Sequence, residues 1–530
     1  MALPLSFYTT GMQLPQNQSP PTEYDLLIVG GGINGAGIAR DAAGRGLRVV
    51  LCEQHDLAQH TSSASTKLIH GGLRYLEYYE FKLVRKALQE REVLLRAAPH
   101  IISPLRFMMP HDAAQRPAWM IRAGLFLYDH LARREILPGS ESVALALHVT
   151  GAPLKASYRK GFAYSDGWVD DARLVVLNAL DAGQRGARIM TRTKCIQARR
   201  AGNIWHATLQ DDQGATEITA CAMVNAAGPW TAQFAAQVSS VRNTHGLRLI
   251  KGSHIVVPRL FDHPYAYLFQ NPDKRIIFAI PYQNDFTLIG TTDLEYTGDA
   301  NQVAITAEET DYLCTMANRY FKQQISPQDV VWTYSGVRPL LDDSAQKASA
   351  VTRDYLLECL GDDDQPGAPL LNVWGGKITT YRRLAEDAMR MLLPHLGKSV
   401  SEAPSWTAAA PLPGGDLQQA GMLVGQVDFA AFLNAFQLRY PWLPAAMAQR
   451  FAHNYGTLAD RILDGAKKLE DLGEQLAPGL HAAEAKYLHD VEWARSAEDI
   501  LWRRTKCGLY CQPQHVARLQ AWLMEQGGSR

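Results

Sequence analysis

Residues 24–53 read YDLLIVGGGINGAGIARDAAGRGLRVVLCE, and this stretch decides the fold. The apolar run Leu26-Leu27-Ile28-Val29 reads as a buried parallel strand, Gly30, Gly32 and Gly35 follow at GxGxxG spacing, and residues 34–45 read as a helix. Each glycine has its own physical reason. Gly30 permits the tight turn, Gly32 lets backbone approach a pyrophosphate, and Gly35 lets helix and strand pack closely. The N-terminus of the new helix offers unpaired N–H groups to phosphate oxygens. A second strand is expected over residues 48–51. Glu53 stands at its end, roughly 20 residues past the glycines, where an acid accepts hydrogen bonds from adenosine ribose hydroxyls. The stretch is a complete βαβ dinucleotide-binding unit, and alone it allows NAD as readily as FAD.

The 530 residues suggest about three domains, and 47% hydrophobic with 20% charged residues is an ordinary globular composition. Formal net charge is zero, so nothing global points to nucleic acid or a strongly acidic partner, and any basic site must come from local clustering. The seven cysteines, Cys52, Cys195, Cys221, Cys314, Cys359, Cys507 and Cys511, are odd in number and scattered, which argues for a reducing compartment over a disulfide framework. Cys507 and Cys511 form the one close pair, without the second pair or His cluster of a zinc site, so no metal is expected. Residues 1–23 hold no Lys or Arg and are rich in Pro and Gln, which fits neither a signal nor a transit peptide and reads as a disordered tail. No apolar run reaches the ~18 residues of a membrane span.

Residues 78–98 place Leu83, Val84, Leu88, Val93 and Leu94 near helical spacing among basic residues, the pattern of a helix with one solvated face. In residues 119–134, WMIRAGLFLYDHLARR, apolar and aromatic side chains sit beside Arg122, Arg133 and Arg134. That composition suits first a core-packing helix with a basic rim, and also a helix lying in a membrane interface. Residues 253–257, 266–270, 275–280 and 286–290 read as short strands separated by the turn sequences HP, NPDK and QND, hence as a separate antiparallel sheet. This sheet interrupts the dinucleotide domain. The chain returns there at residues 223–228, MVNAAG, and at residues 371–385, a strand, a Gly-Gly turn and a helix start. AAAPLPGG at 408–415 marks a boundary, and beyond it the pattern is helical.

Six blocks occur in order: GGGINGAGIARDAAGRG (30–46), TSSASTKLIHGGLRYLE (61–77), IKGSHIVVP (250–258), IGTTD (289–293), YSGVRPL (334–340) and GGKITTYR (375–382). Through them the chain resembles the FAD-dependent glycerol-3-phosphate dehydrogenases of the aerobic, quinone-linked type, from about residue 24 to the C-terminus. The resemblance implies the fold of the D-amino-acid oxidase group. This is an α/β protein with a Rossmann-like FAD-binding domain (about 24–100, 160–245 and 350–400) and an antiparallel β-sheet substrate domain as its roof (about 101–159 and 246–349). Together these make an oxidoreductase region over 24–400, followed by a linker at 401–415 and an all-α C-terminal domain at 416–530. The implied activity is oxidation of sn-glycerol 3-phosphate to dihydroxyacetone phosphate in glycerol catabolism, with electrons passed to ubiquinone or menaquinone. Noncovalent FAD, a cytoplasmic location peripheral to the inner face of the cytoplasmic membrane, and room for a homodimer go with it.

A phosphate dianion calls for convergent cations, Arg above all for its planar fork of donors. The resemblance places Arg74, Arg338, Arg353 and Lys377 near the flavin, and Tyr75 offers a hydroxyl beside them. Loss of the C2 hydroxyl proton calls for a base. His254 is the first candidate, a neutral imidazole with an ordinary pKa close to working pH. Lys377, or Arg338 as a stabiliser of the developing alkoxide, competes for the catalytic role. The turn Gly375-Gly376-Lys377 supplies backbone N–H groups and a helix N-terminus to the flavin, with Thr379 following. Ser62, Ser63, Ser65 and Thr66 are candidates for pyrophosphate or flavin contacts, as are Asn34 and Gly228.

Rival readings remain at this level. An O2-using glycerol-phosphate oxidase shares the same blocks. The anaerobic dehydrogenase subunit carries a cysteine-rich tail, whereas this C-terminal region has only Cys507 and Cys511. An amino-acid oxidase needs chiefly one Arg for its carboxylate, and a nicotinamide dehydrogenase is allowed by the first motif alone, though no second GxGxxG unit of comparable quality follows and the GGLRY and GGKITTY blocks suit a flavin better. A non-catalytic flavin-binding scaffold would have no need of Arg338, His254 and Lys377.

Overall fold

The computed structural model describes residues 22–112, 116–239, 245–273, 275–342, 354–361, 367–417 and 428–527. Of the expected tail only the last two residues fall among them, and Glu23 already opens the first strand.

That strand, Glu23–Val29, is the middle of a sheet ordered Leu356–Leu360, Leu370–Trp374, Ala215–Asn225, Glu23–Val29, Val49–Cys52, Arg188–Met190. The pairings from Leu370–Trp374 to Arg188–Met190 are parallel. Leu26, Leu27 and Ile28 are fully buried, as a parallel strand covered on both faces requires. Helix Ile33–Gly44 buries Ala36, Ile38, Ala39 and Ala42 between the sheet and helices Asp171–Gln184 and Tyr381–Leu392. Its small residues set the spacing: a Cβ on Gly37 would lie 2.7 Å from the Tyr381 ring. The two returns of the chain expected at residues 223 and 371 are thus the two strands on one side of the first.

The second sheet roofs the first. Toward one edge of it, strand Leu247–Pro258 pairs antiparallel with Phe286–Gly290, Leu294–Tyr296 and Trp332–Leu341. Ile276–Tyr282 and Ala266–Gln270 continue it. One pairing differs from the sequence expectation: Ala266–Gln270 meets Ile102–His111 in parallel. A parallel neighbour needs a long crossover, and the cofactor-domain residues between the two strands supply it. Strand Lys160–Val169 runs antiparallel to Ile102–His111 over ten residue pairs. The roof therefore extends past the boundary drawn at residue 159.

The C-terminal region is built on helices Phe429–Arg439, Ala445–Tyr455, Ala482–Asp490 and Pro513–Gly527. A two-stranded ribbon, Gln475–Ala477 with Leu480–His481, is the exception to an all-helical domain. Cys507 and Cys511 are free thiols, Cys511 Sγ donating to the Cys507 carbonyl at 3.3 Å. Arg173 and Glu492, both completely buried, join this region to helix Asp171–Gln184 through two guanidinium–carboxylate bonds. Breaking such a pair from one side strands a buried charge and costs about 3–5 kcal/mol. The C-terminal region is docked by charge as well as by apolar contact.

One of the tightest joints is at the first turn. A Cβ on Gly35 would lie 1.9 Å from the Gly30 carbonyl oxygen. Gly35→Ala must therefore push the helix off the strand. We expect a stability loss of about 1–3 kcal/mol and protein purified without bound cofactor. A Gly35→Ala protein with unchanged melting temperature and full cofactor occupancy would contradict this packing.

Candidate active site

A cleft runs between the two sheets, from the end of strand Val49–Cys52 to the turn after Leu370–Trp374. At its near end Gly30 has φ +111°, and a Cβ there would sit 2.4 Å from the Ala226 carbonyl oxygen. Only glycine meets both demands. Gly32 caps the following helix with no side chain of its own, while Ile33 N–H donates to Ser62 Oγ at 3.0 Å. Gly32, Ile33 and Asn34 line the cleft, so the positive end of the helix dipole faces it. Glu53 Oε2 accepts from Gly31 N–H at 2.6 Å and Oε1 from His55 N–H at 2.9 Å. Each carboxylate oxygen keeps a second lone pair, and Glu53 lies on the cleft wall. Burial raises its pKa, against the lowering effect of these N–H donors.

This cradle fits a dinucleotide. The Asn34 amide donates to the Gly375 carbonyl at 3.1 Å, but its Oδ1 is buried without a partner among the described residues, an acceptor that a bound group would satisfy. Across from it Gly375 and Gly376 adopt φ +72° and +103°, which turns the chain from strand Leu370–Trp374 into Ile378–Thr380.

The expected cofactor residues mostly share this wall. Gly30, Gly32, Asn34, Glu53, Ser62 and Ser65 line it, as do Thr66, Gly228, Gly375, Gly376 and Thr379. Gly35 and Ser63 do not. Gly35 lies beneath the turn in the packing role assigned above, and Ser63 Oγ bonds back to the His60 carbonyl at 3.3 Å.

The roof carries the chemistry. His254 and Tyr334 are cross-strand partners with rings stacked 4.7 Å apart at 15°. Two residues further along, Gly252 faces Gly336, and two beyond that Ile250 faces Arg338. Because side chains alternate along a strand, His254 and Arg338 look down on the same face, with a pair of glycines bare between them. That window is not spare room: a Cβ on Gly252 would meet Thr291 Oγ1 at 2.6 Å, and one on Gly336 would meet Ala64 Cβ at 2.6 Å. Gly252, Gly336 and Thr291 all line the cleft, and sequence reasoning had not singled them out. The KGS and SGV settings were visible, but the pairing that brings the glycines opposite each other was not.

His254 is held on one side only. Its Nε2 is hydrogen-bonded to Thr66 Oγ1 at 3.0 Å, and its Nδ1 is buried without a partner among the described residues. Behind Thr66, Lys67 Nζ donates to Asp171 at 2.6 Å and to the Ser63 carbonyl at 3.1 Å, and Ser65 Oγ donates to the same carboxylate at 2.7 Å. Tyr334 OH closes the loop on the Ser65 carbonyl at 2.8 Å. Burial, then Lys67, then Arg338 push the His254 pKa down to about 3. The imidazole is therefore neutral at working pH by a wide margin, where the sequence suggested an ordinary value.

Of the four expected cations, two reach the wall. Arg338 pairs with Asp293 at 2.6 Å, and Lys377 Nζ lies 3.8 Å over the Tyr75 ring. Tyr75 lines the cleft beside Lys377. Arg74, half-buried on the tight 3-10 turn Leu73–Tyr78, is absent from the wall. Three residues per turn send adjacent side chains about 120° apart, so Tyr75 and Arg74 cannot face the same way. Arg353 lies outside the described residues.

Residues 25–382 match the family described as FAD dependent oxidoreductase, and residues 405–522 match the C-terminal domain of alpha-glycerophosphate oxidase. A glycerol-3-phosphate dehydrogenase of Pseudomonas aeruginosa is 55% identical, over 95% of each chain. A D-erythritol 1-phosphate dehydrogenase of Brucella abortus is 50% identical, over 95% of this chain and 98% of that one. A solved glycerol-3-phosphate dehydrogenase from Bacillus halodurans, complexed with FAD, superposes with TM-score 0.76 at 27% identity, covering 96% of this chain and 91% of that one.

The depressed His254 pKa has a thermodynamic consequence. Between pH 6.5 and about 3 the unfolded chain holds a proton that folded His254 refuses, so the stabilisation is complete above pH 6.5 and is lost as pH falls through that window. His100, pushed down to about 3, and His60, to about 4, act in the same sense. In His254→Asn the fall in stability between pH 6.5 and 4.5 should be shallower, by up to about 1.4 kcal/mol per pH unit. Denaturant unfolding at several pH values measures this, and parallel curves would show that His254 is not held neutral.

Proposed function

The chain belongs to the FAD-dependent oxidoreductases of the glycerol-3-phosphate dehydrogenase type, and from that premise we propose that it oxidises sn-glycerol 3-phosphate to dihydroxyacetone phosphate, serving glycerol catabolism, with a membrane quinone as final acceptor. The observation that carries this is the shared face of His254 and Arg338 across the Gly252–Gly336 window, with Lys377 at the end of the cleft. FAD, held noncovalently by the glycine turn, Glu53, Asn34 and the Gly375-Gly376 turn, supplies the hydride acceptor when bound.

The protein's own groups do the rest. Arg338 and Lys377 meet the phosphate dianion, and the Asp293 carboxylate fixes the plane of the Arg338 guanidinium. Tyr75, under the Lys377 ammonium, holds that charge at the wall. Arg353 belongs with them in this reading, as the resemblance implies. As the C2 hydrogen departs with its electron pair, the hydroxyl proton passes to His254, which is already neutral and has an unpartnered ring nitrogen. Its partner Thr66 keeps the ring from turning. Burial, Lys67 and Arg338 all disfavour the protonated ring, so the shift that keeps His254 neutral also makes it a weaker base than a free imidazole.

Quinone use requires the protein to reach a membrane. No helix among the described residues is long and apolar enough to cross one. Helix Ala118–His130 buries Ile121, Leu125 and Tyr128 against the roof and turns Trp119, 70% exposed, and Phe126, 56% exposed, outward with Met120 and Leu127. Arg122 is not a free rim charge, since it donates to Ser140 Oγ at 2.9 Å. An apolar outer face of this kind supports peripheral docking at the inner face of the cytoplasmic membrane.

Under anaerobic conditions glycerol 3-phosphate should bleach the flavin absorbance within the turnover time; no bleaching of fully loaded protein would sink the enzyme reading. D-erythritol 1-phosphate should bleach it with the lower kcat/KM, and the reverse order would reassign the substrate. Arg338→Lys should lose about 10–100-fold in kcat/KM, the worth of a charge-assisted bond. Stopped-flow reoxidation should be faster with a short-chain quinone than with O2, and the opposite result would make the protein an oxidase. Trp119→Ala with Phe126→Ala should release the protein from vesicles of anionic and neutral phospholipid while bleaching is unchanged; retention on the vesicles would move the docking surface elsewhere.

A further inference from the structure

The loop that follows Glu53 is gripped from the far end of the chain. Asp56 is completely buried, and two consecutive arginines of the C-terminal region close on its carboxylate. Arg504 binds it with a fork, Nη1 to Oδ2 at 2.9 Å and Nη2 to Oδ1 at 2.8 Å, while Arg503 Nε donates to Oδ2 at 2.6 Å. Arg503 is braced by Asp499 at 2.5 Å and Glu498 at 2.9 Å. Asp499 also receives Arg192 at 2.7 Å, whose backbone N–H donates to the His55 carbonyl at 2.8 Å. Residues 53–56 are therefore held from both sides.

The same loop faces the cofactor cleft. Gln54, Ala58, Gln59 and His60 line it, and Ala58, at φ +62°, donates its N–H to the Gly31 carbonyl at 3.3 Å. Asp56 N–H bonds Gln59 Oε1 at 3.1 Å, which ties the buried end of the loop to its exposed end. Yet Asp56, Arg503 and Arg504 are absent from the wall, and among the described residues none beyond Thr379 lines it. Gathering three desolvated charges away from the ligand is costly where apolar contact would dock a domain as well. What the charges add is direction: a bidentate fork fixes where Asp56 sits, and with it the backbone from Glu53 to His60.

We propose that Asp56, Arg503 and Arg504 are positioning residues through which the C-terminal domain retains FAD. The clamp holds the loop that closes on the adenosine side of the cofactor. This rests on reading the cleft as the FAD site.

Apoprotein prepared by removing FAD, then titrated with FAD and followed by flavin fluorescence, tests it. Asp56→Asn and Arg504→Lys should each raise the FAD Kd by about tenfold or more, and the double variant should be little worse than either single, because the two act as one unit. With saturating FAD, the rate of flavin reduction by glycerol 3-phosphate should stay within about twofold of wild type, because none of these groups touches the reacting atoms. Arg450→Lys, which disturbs the Arg450–Glu484 pair inside the C-terminal domain, serves as the structural control. It should lower the melting temperature without moving the FAD Kd. Should Asp56→Asn or Arg504→Lys fail to fold, Arg192→Gln loosens the brace at a partly exposed site and should still raise the Kd severalfold. If the clamp variants melt earlier but bind FAD as tightly as wild type, the clamp is merely structural and the proposal is overturned. Wild-type apoprotein that takes up no FAD would instead remove the cofactor reading itself.

Discussion

Everything in this molecule depends on one approach of backbone to backbone: Gly35 seated over the Gly30 carbonyl while Gly30 lies against the Ala226 carbonyl. There is no room for a methyl group at either contact. The joint locks the first helix at a fixed angle to the first strand, aims its N-terminus into the cleft, and fixes the distance to the returning strand Ala215–Asn225. This end of the cleft wall is therefore made of peptide groups, whose positions no rotamer change can alter. Side chains then only decorate it, Glu53 at one end and Asn34 in the middle.

The roof repeats the device with side chains on either flank. Gly252 and Gly336 leave a bare patch on the sheet, and His254 and Arg338 stand at its two edges. Burial, reinforced by a buried lysine and an arginine nearby, keeps the histidine neutral. The lysine is tolerated because Asp171, fully buried, neutralises it. Asp170 beside it takes Lys506 of the C-terminal region at 3.0 Å. Buried charge thus runs from the C-terminal domain through the start of helix Asp171–Gln184 to the loop bearing Thr66.

Much of this could be read from the sequence because it is local. The glycine turn, the strand before it, the small-residue helix and Glu53 lie within thirty residues of one another, and the strands at 266–270 and 286–290 have the bounds that their turn signals set. Other features depend on contacts between distant segments. Strand Lys160–Val169 carries two glycines and weak alternation, so its ladder with Ile102–His111 left little local trace. Arg74 and Tyr75 are neighbours that a 3-10 turn sends apart. Asp56 and Arg504 look like ordinary surface charges until 448 residues of chain bring them together. The His254 pKa could not be anticipated either, since desolvation, its main cause, is a property of packing.

The central claim is that the substrate lies beneath the roof, between Arg338 and His254 on it and Lys377 on the turn below. A crystal structure of the FAD-loaded protein with dihydroxyacetone phosphate tests it directly. The account predicts the phosphate against Arg338 and Lys377, with the C2 oxygen within hydrogen-bond reach of the His254 ring and the carbon skeleton beneath the Gly252–Gly336 window. A phosphate bound elsewhere in the cleft, with His254 out of reach of the C2 oxygen, would contradict it.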